Sequence, residues 1–510
     1  MRPSTAVPTV PLMPFDSKSG WRMSSIPSPV SRSGTPADAE TPLSSATHAL
    51  EERQLLSFSD DDQAIDHENR TAPLITCEAY LRADSGSRPS QYGLLGVIRT
   101  IHDRKEQETP HENRLYINVN APLSAIVCGV QGSGKSHTVS VILENMLIPH
   151  YRPIGRSETA LAGLVLHVGE GGPSSLPNET AWLGRTSHPG VQLPRICVFV
   201  SPSSLGTMKK IYAPLGSKIE VKPLLFSEKE LDAEAILSMM AVGSSDSAPL
   251  YIQTVLSILR ELGENFTYAR FKTKLDVHKQ EFNPAQRAGL KQRMDLLEAF
   301  VNREKQQPAR FAEGQLTIID LSDPMVDPAA ACTLFEIVTR QFVRADVGVS
   351  GKVLVVDEAH KYLSANKGQS GLTKALLSLI RQQRHLGMRV IISTQEPTVV
   401  PPVLLDLCGV AILHRFSSPS WWDHLVKHVS ADLPEDAFDQ IVKLRTGEAI
   451  VLAPAGLGLM RTLLAKQASS ASGSSPLETQ VLPFGRRYLI VKSRQRVTAD
   501  GGASILTVAG

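Results

Sequence analysis

The chain has 510 residues, 42% of them hydrophobic, which is enough for one large globular domain or two to three smaller ones. Its 53 lysines and arginines exceed its 51 acids by only two, which excludes binding of nucleic acid through bulk positive charge. Five widely spaced cysteines without a CxxC pair predict buried free thiols in a reducing compartment and argue against a disulfide scaffold or a structural zinc site.

The N-terminal residues 1–72 are rich in Ser, Pro, Thr and Ala and show no apolar period, which predicts a disordered tail. Early arginines leave a mitochondrial presequence open, but the prolines disfavour its amphipathic helix. No stretch approaches the roughly 20 apolar residues of a membrane span. We therefore expect a soluble, non-secreted protein without a membrane partner, intracellular and either nuclear or cytoplasmic, with a mitochondrial location less favoured.

Strands and helices alternate after the tail. Residues 115–149 predict a strand, a glycine-rich turn and a helix. Because the strands are almost continuously apolar, the alternation predicts an α/β domain over residues 73–466 with a mostly parallel central sheet covered on both faces. The further predicted strands are "LAGLVLHVG", "RICVFVSPS", "LTIIDLSDP", "GKVLVVDEA", "MRVIISTQ", "GVAILHRFS" and "GEAIVLAP".

Two segments depart from this alternation. Residues 228–305 show only helical patterns, which predicts a helical insertion within the α/β domain. Residues 467–510 begin with the flexible run "QASSASGSSP" and continue as a C-terminal strand segment.

A phosphate-binding loop is predicted at "GVQGSGKS", which fits G-x-x-x-x-G-K-[ST] and stands between a predicted strand and a predicted helix. Backbone N–H groups of the turn can wrap a phosphate chain, Lys135 can reach the β- and γ-phosphates, and Ser136 can hold Mg²⁺. The alternative is a glycine-serine turn with a solvated lysine. The predicted nucleotide-binding residues are Gly129, Gln131, Gly132, Ser133, Gly134, Lys135, Ser136 and His137.

Two adjacent acids follow the apolar strand in "VLVVDEAH". Asp357 can order a magnesium shell together with Ser136, and Glu358 can act as the general base for an attacking water. The alternative is an acidic turn in which the aspartate caps a helix. Asp320, in "LTIIDLSDP", also ends an apolar strand but has no acidic neighbour, so we predict a cap or turn role for it.

A polar amide, Gln395, follows a third apolar strand in "MRVIISTQEP" and can sense a γ-phosphate or orient the water. Arg384 and Arg415 lie just before and after this strand and can deliver charge to a nucleotide. If subunits form a ring, either is a candidate arginine finger that acts on the neighbouring subunit. A solvated surface arginine is the alternative for both.

A basic stretch lies within the predicted insertion, with Asp276 and Glu281 as its acids and Tyr268 and Phe271 nearby. It can grip the phosphates of double-stranded DNA, although a solvated helix face is the commoner explanation of such a pattern. Its basic residues are Arg270, Lys272, Lys274, Lys279, Arg287, Lys291 and Arg293.

Together with "HRFSSP" and "GEAIVLAP", these motifs resemble the HerA–FtsK superfamily of RecA-like motor ATPases, especially its HerA-like branch, over roughly residues 115–166 and 315–455. The resemblance implies a RecA-like P-loop fold, ATP and Mg²⁺ as cofactors, and a homohexameric ring that moves double-stranded DNA, or sometimes single strands or proteins. It also implies roles for individual residues: phosphate binding by Gly134, Lys135 and Ser136, magnesium and water activation by Asp357 and Glu358, sensing by Gln395, and action in trans by Arg384.

The chain also departs from this family. Only about 50 residues lie between the predicted disordered tail and the P-loop, where HerA-like proteins usually carry a β-barrel, and Glu396 stands where the family commonly has an arginine. No winged-helix domain follows the core. The tetrapeptide "DEAH" resembles the helicases of that name, but their Ser-Ala-Thr-like motif and second RecA lobe are not evident. Three hypotheses remain: an ATP-driven motor on nucleic acid, a motor on protein, and an ATP-gated interaction or scaffold protein.

Overall fold

The computed structural model describes residues 61–103, 106–241, 250–302, 309–348, 351–363, 371–429, 433, 436–462 and 478–502. Residues 1–60 of the predicted tail and the whole predicted linker "QASSASGSSP" lie outside these ranges. Residues Asp61–Thr71 form a helix, so the sequence boundary of the tail at residue 72 was wrong in its last eleven residues. The side chain of Asn118 donates to the Arg70 carbonyl, which fixes the end of this helix to the domain.

The regular elements alternate along the chain as predicted. The α-helices of the described residues are α1 (Asp61–Thr71), α2 (Cys77–Arg82), α3 (Lys135–Leu147), α4 (Leu205–Tyr212), α5 (Ala233–Ala241), α6 (Leu250–Leu262), α7 (Tyr268–His278), α8 (Pro284–Ala299), α9 (Pro328–Arg344), α10 (Gly371–Leu386), α11 (Pro402–Asp406), α12 (Pro419–His428) and α13 (Ala437–Lys443). The strands of the same residues are β1 (Leu74–Thr76), β2 (Tyr92–Asp103), β3 (Glu106–Glu108), β4 (Arg114–Asn118), β5 (Leu123–Cys128), β6 (Gly155–Arg156), β7 (Ala162–His167), β8 (Arg195–Val200), β9 (Ile219–Pro223), β10 (Gln315–Asp320), β11 (Lys352–Val356), β12 (Met388–Thr394), β13 (Val410–His414), β14 (Glu448–Leu452), β15 (Leu457–Thr462), β16 (Glu478–Pro483) and β17 (Tyr488–Ser493).

Eight parallel strands form the centre of the sheet, in the order β9, β8, β10, β7, β11, β12, β5, β13. Alternate residues of β11 pack on opposite faces, as strand geometry requires. Leu354 and Val356 join the apolar cluster with α9, α10 and the helical insertion, whereas Val353 and Val355 join the cluster with α3. The prediction of an α/β fold with a parallel central sheet buried on both faces is confirmed.

The helical insertion is also present: α5 to α8 follow one another between residues 233 and 299. An isolated bridge between Phe226 and Val301 closes it at its base. The sequence prediction missed β9, because "IEVKP" is a short edge strand with too few apolar residues to show a pattern.

A largely antiparallel extension continues the sheet beyond β13, in the order β14, β17, β2, β4, β1, β15, β16. Within its described strands, only β1 and β15 pair in parallel. If these strands were flat, β14 and β15 would lie about 24 Å apart, at roughly 4.8 Å per strand. Residues 453–456 join these two strands through a tight turn in which Gly456 donates to the Ala453 carbonyl. The extension must therefore curl, and it includes β17, so the C-terminal strand segment belongs to the same sheet as the α/β domain.

The residues after β17 run along α3, the helix that follows the P-loop. Glu144 of α3 is fully buried and its carboxylate accepts from the Arg494 guanidinium at 2.6 Å and from the backbone N–H groups of Val497 (3.1 Å) and Thr498 (2.8 Å). All five cysteines are free thiols, as predicted, and four of them are buried. None of the helices within the described ranges has the length and hydropathy of a membrane span.

We predict that Glu144→Ala lowers the free energy of unfolding by about 3 kcal/mol or more, because it leaves a buried guanidinium and two buried amides without their acceptor. Urea titration followed by circular dichroism measures the change. The control is Glu158→Ala, which removes a side chain that is 63% exposed and paired with Arg156; its effect should stay within about 0.5 kcal/mol. Equal losses in the two variants would contradict the prediction.

Candidate active site

The glycine-rich loop "GVQGSGKS" connects β5 to α3. Its glycines at positions 129, 132 and 134 have positive φ angles of 151°, 73° and 110°, and α3 begins at Lys135. At Gly134 a side chain is excluded on two grounds, because φ is positive and a Cβ would lie 2.8 Å from the backbone nitrogen of Gly447. This backbone leaves the first N–H groups of α3 free to bind an anion.

The loop is held from outside by neighbouring strands. Gly447, just before β14, donates its N–H to the Ser133 carbonyl at 3.0 Å, and Val130 donates to the Arg415 carbonyl just after β13 at 3.0 Å. His414, the last residue of β13, is fully buried beside the loop and donates from Nδ1 to the Glu448 carbonyl. Burial lowers the pKa of His414 to about 4, so its ring is neutral at physiological pH.

Lys135 lies inside the site, with 5% of its surface exposed, and its Nζ is 3.4 Å from the Val130 carbonyl. Burial lowers the pKa of Lys135 below its ordinary value, whereas the nearby carboxylates of Glu358 and Asp357 raise it. The P-loop lysine therefore faces the acid pair, although the two motifs are more than two hundred residues apart in sequence.

Asp357 follows β11 and is 9% exposed. Its Oδ2 accepts from His167 Nδ1 at 2.9 Å and from Asn178 Nδ2 at 3.0 Å. Burial acts to raise the pKa of Asp357, but the bonds from His167 and Asn178 and the charge of Lys135 outweigh it, so this pKa lies below its ordinary value. The pKa of His167 is raised in turn, because Asp357 and Asp320 outweigh the burial that lowers it. Asp357 is thus held as an anion.

Glu358 adopts the left-handed region with φ 51° and ψ 41°, which is rare for a residue other than glycine. Such a conformation costs about 1–3 kcal/mol and persists only where its surroundings hold it. Gln395 Nε2 donates to both Glu358 oxygens, at 3.0 and 2.9 Å, and His360 Nε2 lies 3.4 Å from Oε2. The strained turn and these two side chains fix the direction of the second carboxylate.

The Asp320 carboxylate is occupied by hydrogen bonds within its own turn and with α4. Its carboxylate accepts from the hydroxyls of Tyr212 (2.6 Å) and Ser322 (2.5 Å) and from the Ser322 N–H. These bonds agree with the turn role predicted for it.

The structure brings most of the predicted site residues together at one edge. Gln131 and Gly132 are exposed at the tip of the loop and Ser136 is half-buried in the first turn of α3. His137, by contrast, faces the C-terminal segment: its Nε2 donates to the Arg494 carbonyl at 2.8 Å.

The two candidate arginine fingers lie at different places. The Arg415 backbone touches the P-loop of its own chain. Arg384 is exposed near the end of α10, before β12, so it lies about 20 Å from the edge that carries Gln395, at roughly 3.3 Å per strand residue. Arg384 therefore does not serve the P-loop of the same chain, and its action on a neighbouring subunit stays a prediction.

Five residues of the site escaped sequence reasoning: His167, Asn178, His360, His414 and Gly447. His167 carries a weak signal, because it is a polar residue at the end of an apolar strand. Asp357 and Gln395 likewise directly follow the ends of apolar strands. His360 is part of the quoted "DEAH" run. Asn178 and Gly447 lie in loops that give no local signal.

No protein-family profile matches the chain. Among curated proteins, the DNA double-strand break repair helicase HerA of Sulfolobus acidocaldarius is 31% identical over 147 residues, which are 27% of this chain and 29% of that protein. A probable helicase of Methanocaldococcus jannaschii is 31% identical over 102 residues, which are 20% of this chain and 19% of that protein. The chain thus spans less than a third of the length of these two relatives.

Two solved structures are similar at low identity. The genome packaging NTPase B204 from Sulfolobus turreted icosahedral virus 2, in complex with AMP, is 10% identical with a TM-score of 0.26, covering 65% of this chain and 91% of its own. VirB4 of Thermoanaerobacter pseudethanolicus is 12% identical with a TM-score of 0.41, covering 72% of this chain and 95% of its own. Both scores are too low to support a conclusion.

The P-loop follows β5 and the acid pair follows β11, and β12, which lies between these two parallel strands, carries the amide of Gln395 at its tip. Identity of 31% to HerA over 147 residues, and to the probable helicase over 102 residues, accompanies this arrangement. Over the matched residues the chain is similar to HerA-like proteins of the HerA–FtsK superfamily of RecA-like P-loop ATPases.

Proposed function

We propose that this protein is a magnesium-dependent ATP hydrolase. The observation that supports the proposal best is the meeting of Lys135 with the Asp357–Glu358 pair at one edge of the sheet, with Glu358 held by Gln395. A phosphate-binding loop alone would bind a nucleotide, whereas an aimed carboxylate beside it can also activate water.

The residues present fit a magnesium ion. The Ser136 hydroxyl and the Asp357 carboxylate are the oxygen donors that Mg²⁺ takes beside nucleotide phosphates, and the lowered pKa of Asp357 keeps that carboxylate anionic. When bound, the ion neutralises charge on the β- and γ-phosphate oxygens. His167 and Asn178 hold the Asp357 carboxylate in place from behind.

In the proposed mechanism, Lys135 and the N–H groups of the P-loop bind the β- and γ-phosphates. Glu358 accepts a proton from the attacking water as the water oxygen bonds to the γ-phosphorus and the bond to the ADP oxygen breaks. Gln395 orients Glu358 through its amide and, from the tip of β12, reports the presence of the γ-phosphate. In a ring of identical subunits, proposed to be a hexamer, Arg384 or Arg415 would add positive charge to the neighbouring site.

We propose that hydrolysis drives the movement of nucleic acid, as the names of the two helicase relatives suggest. The basic stretch of the insertion offers less free charge than its composition implies. Lys272 pairs with Glu298, Lys274 with Glu261, and Lys279 with Asp276. The exposed residues that remain for phosphate contacts include Arg287 and Lys291, one helical turn apart on α8.

A motor that acts on protein is a second candidate, and one observation favours it. The loops 168–177 and 321–327 follow β7 and β10 at the catalytic edge, touch each other through Gly169 N–H and the Ser322 hydroxyl, and contain no lysine or arginine. Leu176 is 74% exposed and Met325 is 80% exposed at these loops. Apolar and acidic chemistry suits a polypeptide better than a phosphate backbone.

We predict that Glu358→Gln slows ATP hydrolysis by about 100-fold or more while ATP affinity changes by less than about 3-fold, because only the general base is lost. Phosphate release and titration with a fluorescent ATP analogue measure the two quantities. Glu396→Gln, an exposed carboxylate two residues after Thr394, is the matched control and should hydrolyse normally. Unchanged turnover in Glu358→Gln would sink the assignment of the base.

For Lys135→Ala we expect ATP affinity to fall about 10-fold or more, because the phosphates lose a buried ammonium group. The same fluorescent titration gives the affinity. Lys209→Ala removes an exposed lysine of α4 and should bind normally. A Lys135→Ala variant that binds ATP like the unmodified protein would refute phosphate binding by this loop.

If the cargo is double-stranded DNA, DNA should stimulate ATP hydrolysis at moderate salt, and the double reversal Arg287→Glu with Lys291→Glu should remove most of the stimulation without changing basal turnover. The control is the double reversal of Lys209 and Lys210, exposed on α4. Stimulation by a polypeptide and not by DNA or RNA would favour the protein motor. Nucleotide-dependent partner binding without any stimulation would favour the scaffold hypothesis.

A further inference from the structure

The helix α10 carries a basic stripe on its exposed side. Lys374, Ser378, Arg381 and His385 follow one another at intervals of four, three and four residues, so they lie within about 60° of one another around the helix axis. All four residues are exposed, whereas the apolar side of the helix is buried in the core. The candidate arginine finger Arg384 is not part of this stripe.

Acids are absent from the whole segment around this helix. The 37 residues from Ala359 to Gln395 contain six lysines and arginines but neither Asp nor Glu, although acids make up one residue in ten of the complete chain. Because ion pairs at intervals of three and four residues need an acid on the same helix, α10 cannot neutralise its own charge. The chain as a whole is nearly neutral, but this segment carries a local excess of positive charge.

Neighbouring elements do not neutralise the stripe either. Lys374 and Arg381 make no ion pair within the part of the chain that the structure describes. The charge of Lys374 acts on the buried carboxylate of Glu336 in α9, but that carboxylate already accepts from the Ser238 hydroxyl at 2.9 Å and lies 3.5 Å from Arg340. Three lysines of the predicted basic stretch in the insertion are paired, by contrast. The two charges of the stripe are therefore available to an anion from outside.

The side chains of the stripe are accessible and suit phosphate oxygens. A surface cavity of about 290 Å³ opens along it and is lined by Lys374, Leu377, Ser378, Arg381 and Gln382. Lysine, arginine, serine and glutamine side chains are among the groups that contact nucleic-acid phosphates. From position 374 to position 385 the stripe is roughly 16 Å long at about 1.5 Å per helical residue. Duplex DNA carries one charge per about 1.7 Å of its axis, so several phosphates can lie along this length.

The composition of α10 favours a duplex over a single strand. Proteins that hold single strands stack the exposed bases on aromatic side chains, and α10 contains no Phe, Tyr or Trp. A duplex keeps its bases stacked on one another and needs only contacts to its backbone.

We propose that the basic stripe of α10 binds the phosphate backbone of double-stranded DNA. This inference rests on the nucleic-acid cargo proposed above and adds a surface that holds it. The helix lies in the chain between the acid pair that follows β11 and the strand β12, which ends next to Gln395. A duplex on α10 therefore contacts the segment that joins Glu358 to Gln395, the two residues whose side chains meet in the catalytic site.

Fluorescence anisotropy of a labelled DNA duplex, titrated with the full chain at low salt and without nucleotide, tests the proposal. The double reversal Lys374→Glu with Arg381→Glu should weaken duplex affinity at least about 10-fold, because two phosphate contacts become repulsive. The control is Lys209→Glu with Lys210→Glu on α4, which changes the net charge equally at another exposed surface and should change affinity less than about 3-fold. Equal effects of the two reversals, or an unmodified protein that does not bind the duplex, would overturn the proposal.

The salt dependence of binding gives a second measurement with a milder variant. Lys374→Gln with Arg381→Gln should reduce the slope of log affinity against log salt by about 1.8, because each lost phosphate contact removes about 0.9. Circular dichroism confirms that the variant is folded, and this variant keeps the test valid if the reversal to glutamate does not fold. A slope equal to that of the unmodified protein would show that these side chains do not contact phosphates.

Competing ligands test the kind of partner. A single strand of the same sequence that binds as tightly as the duplex would overturn the assignment to double-stranded DNA. Displacement of the duplex by poly-glutamate at equal charge concentration would assign the stripe to acidic polypeptides and would overturn it as well. Persistence of duplex binding against both ligands supports the proposal.

The same titration separates this inference from the proposed function. No nucleotide is present, so the result does not depend on whether the protein hydrolyses ATP. If the reversal of Arg287 and Lys291 on α8 abolishes duplex binding and the reversal on α10 does not, the insertion holds the duplex. That outcome would overturn the present inference and leave the nucleic-acid motor standing.

Discussion

The parallel pairing of β5, β12 and β11 is the constraint on which the site depends. In this register Cys128 at the end of β5 lies opposite Thr394, and Ile392 lies opposite Val356 at the end of β11. Two of these strands therefore end at the same level, and β11 ends two residues earlier, with about 4.8 Å from one strand to the next. The P-loop, Gln395 and the acid pair each follow one of these ends, so the sheet brings them together across 222 residues of sequence from Lys135 to Asp357.

The central sheet and the site could be predicted from sequence because their signals are local. A buried parallel strand reads as an apolar run, and a polar residue at its tip, such as Asp357 or Gln395, marks the catalytic edge. The glycines of the P-loop are required by backbone geometry and are visible as a motif. His167 and Asn178 could not be assigned, because their role depends on the distance to Asp357 in the folded chain. The antiparallel extension was missed for the same reason: β17 pairs with β2, almost four hundred residues earlier in the sequence.

Charge was also only partly readable from sequence. The stretch from Arg270 to Arg293 was predicted as a basic surface, yet Lys272 and Lys274 pair with Glu298 and Glu261, which lie outside the stretch. From composition alone, the charges of these two lysines would be taken as available for phosphate contacts. The reverse holds for Arg389, which reads as an ordinary residue near the start of a strand but is buried without a carboxylate partner in the described structure. Whether a charged side chain is paired therefore depends on its neighbours in the folded chain. Sequence spacing identifies those neighbours only within a helix or a turn.

The helix α3 connects the P-loop to both ends of the folded domain. Its first residue is Lys135, and its buried Glu144 accepts hydrogen bonds from the C-terminal segment. Thr138 of the same helix contacts Ser493, and Asn145 donates to the Leu94 carbonyl of β2. Sequence composition suggested that the last residues form a separate segment, because a flexible linker precedes them. The contacts with α3 contradict that division in physical terms: the phosphate-binding helix is packed by strands from before and after the α/β core, so the site is supported by the whole described domain and not by the motif-bearing core alone.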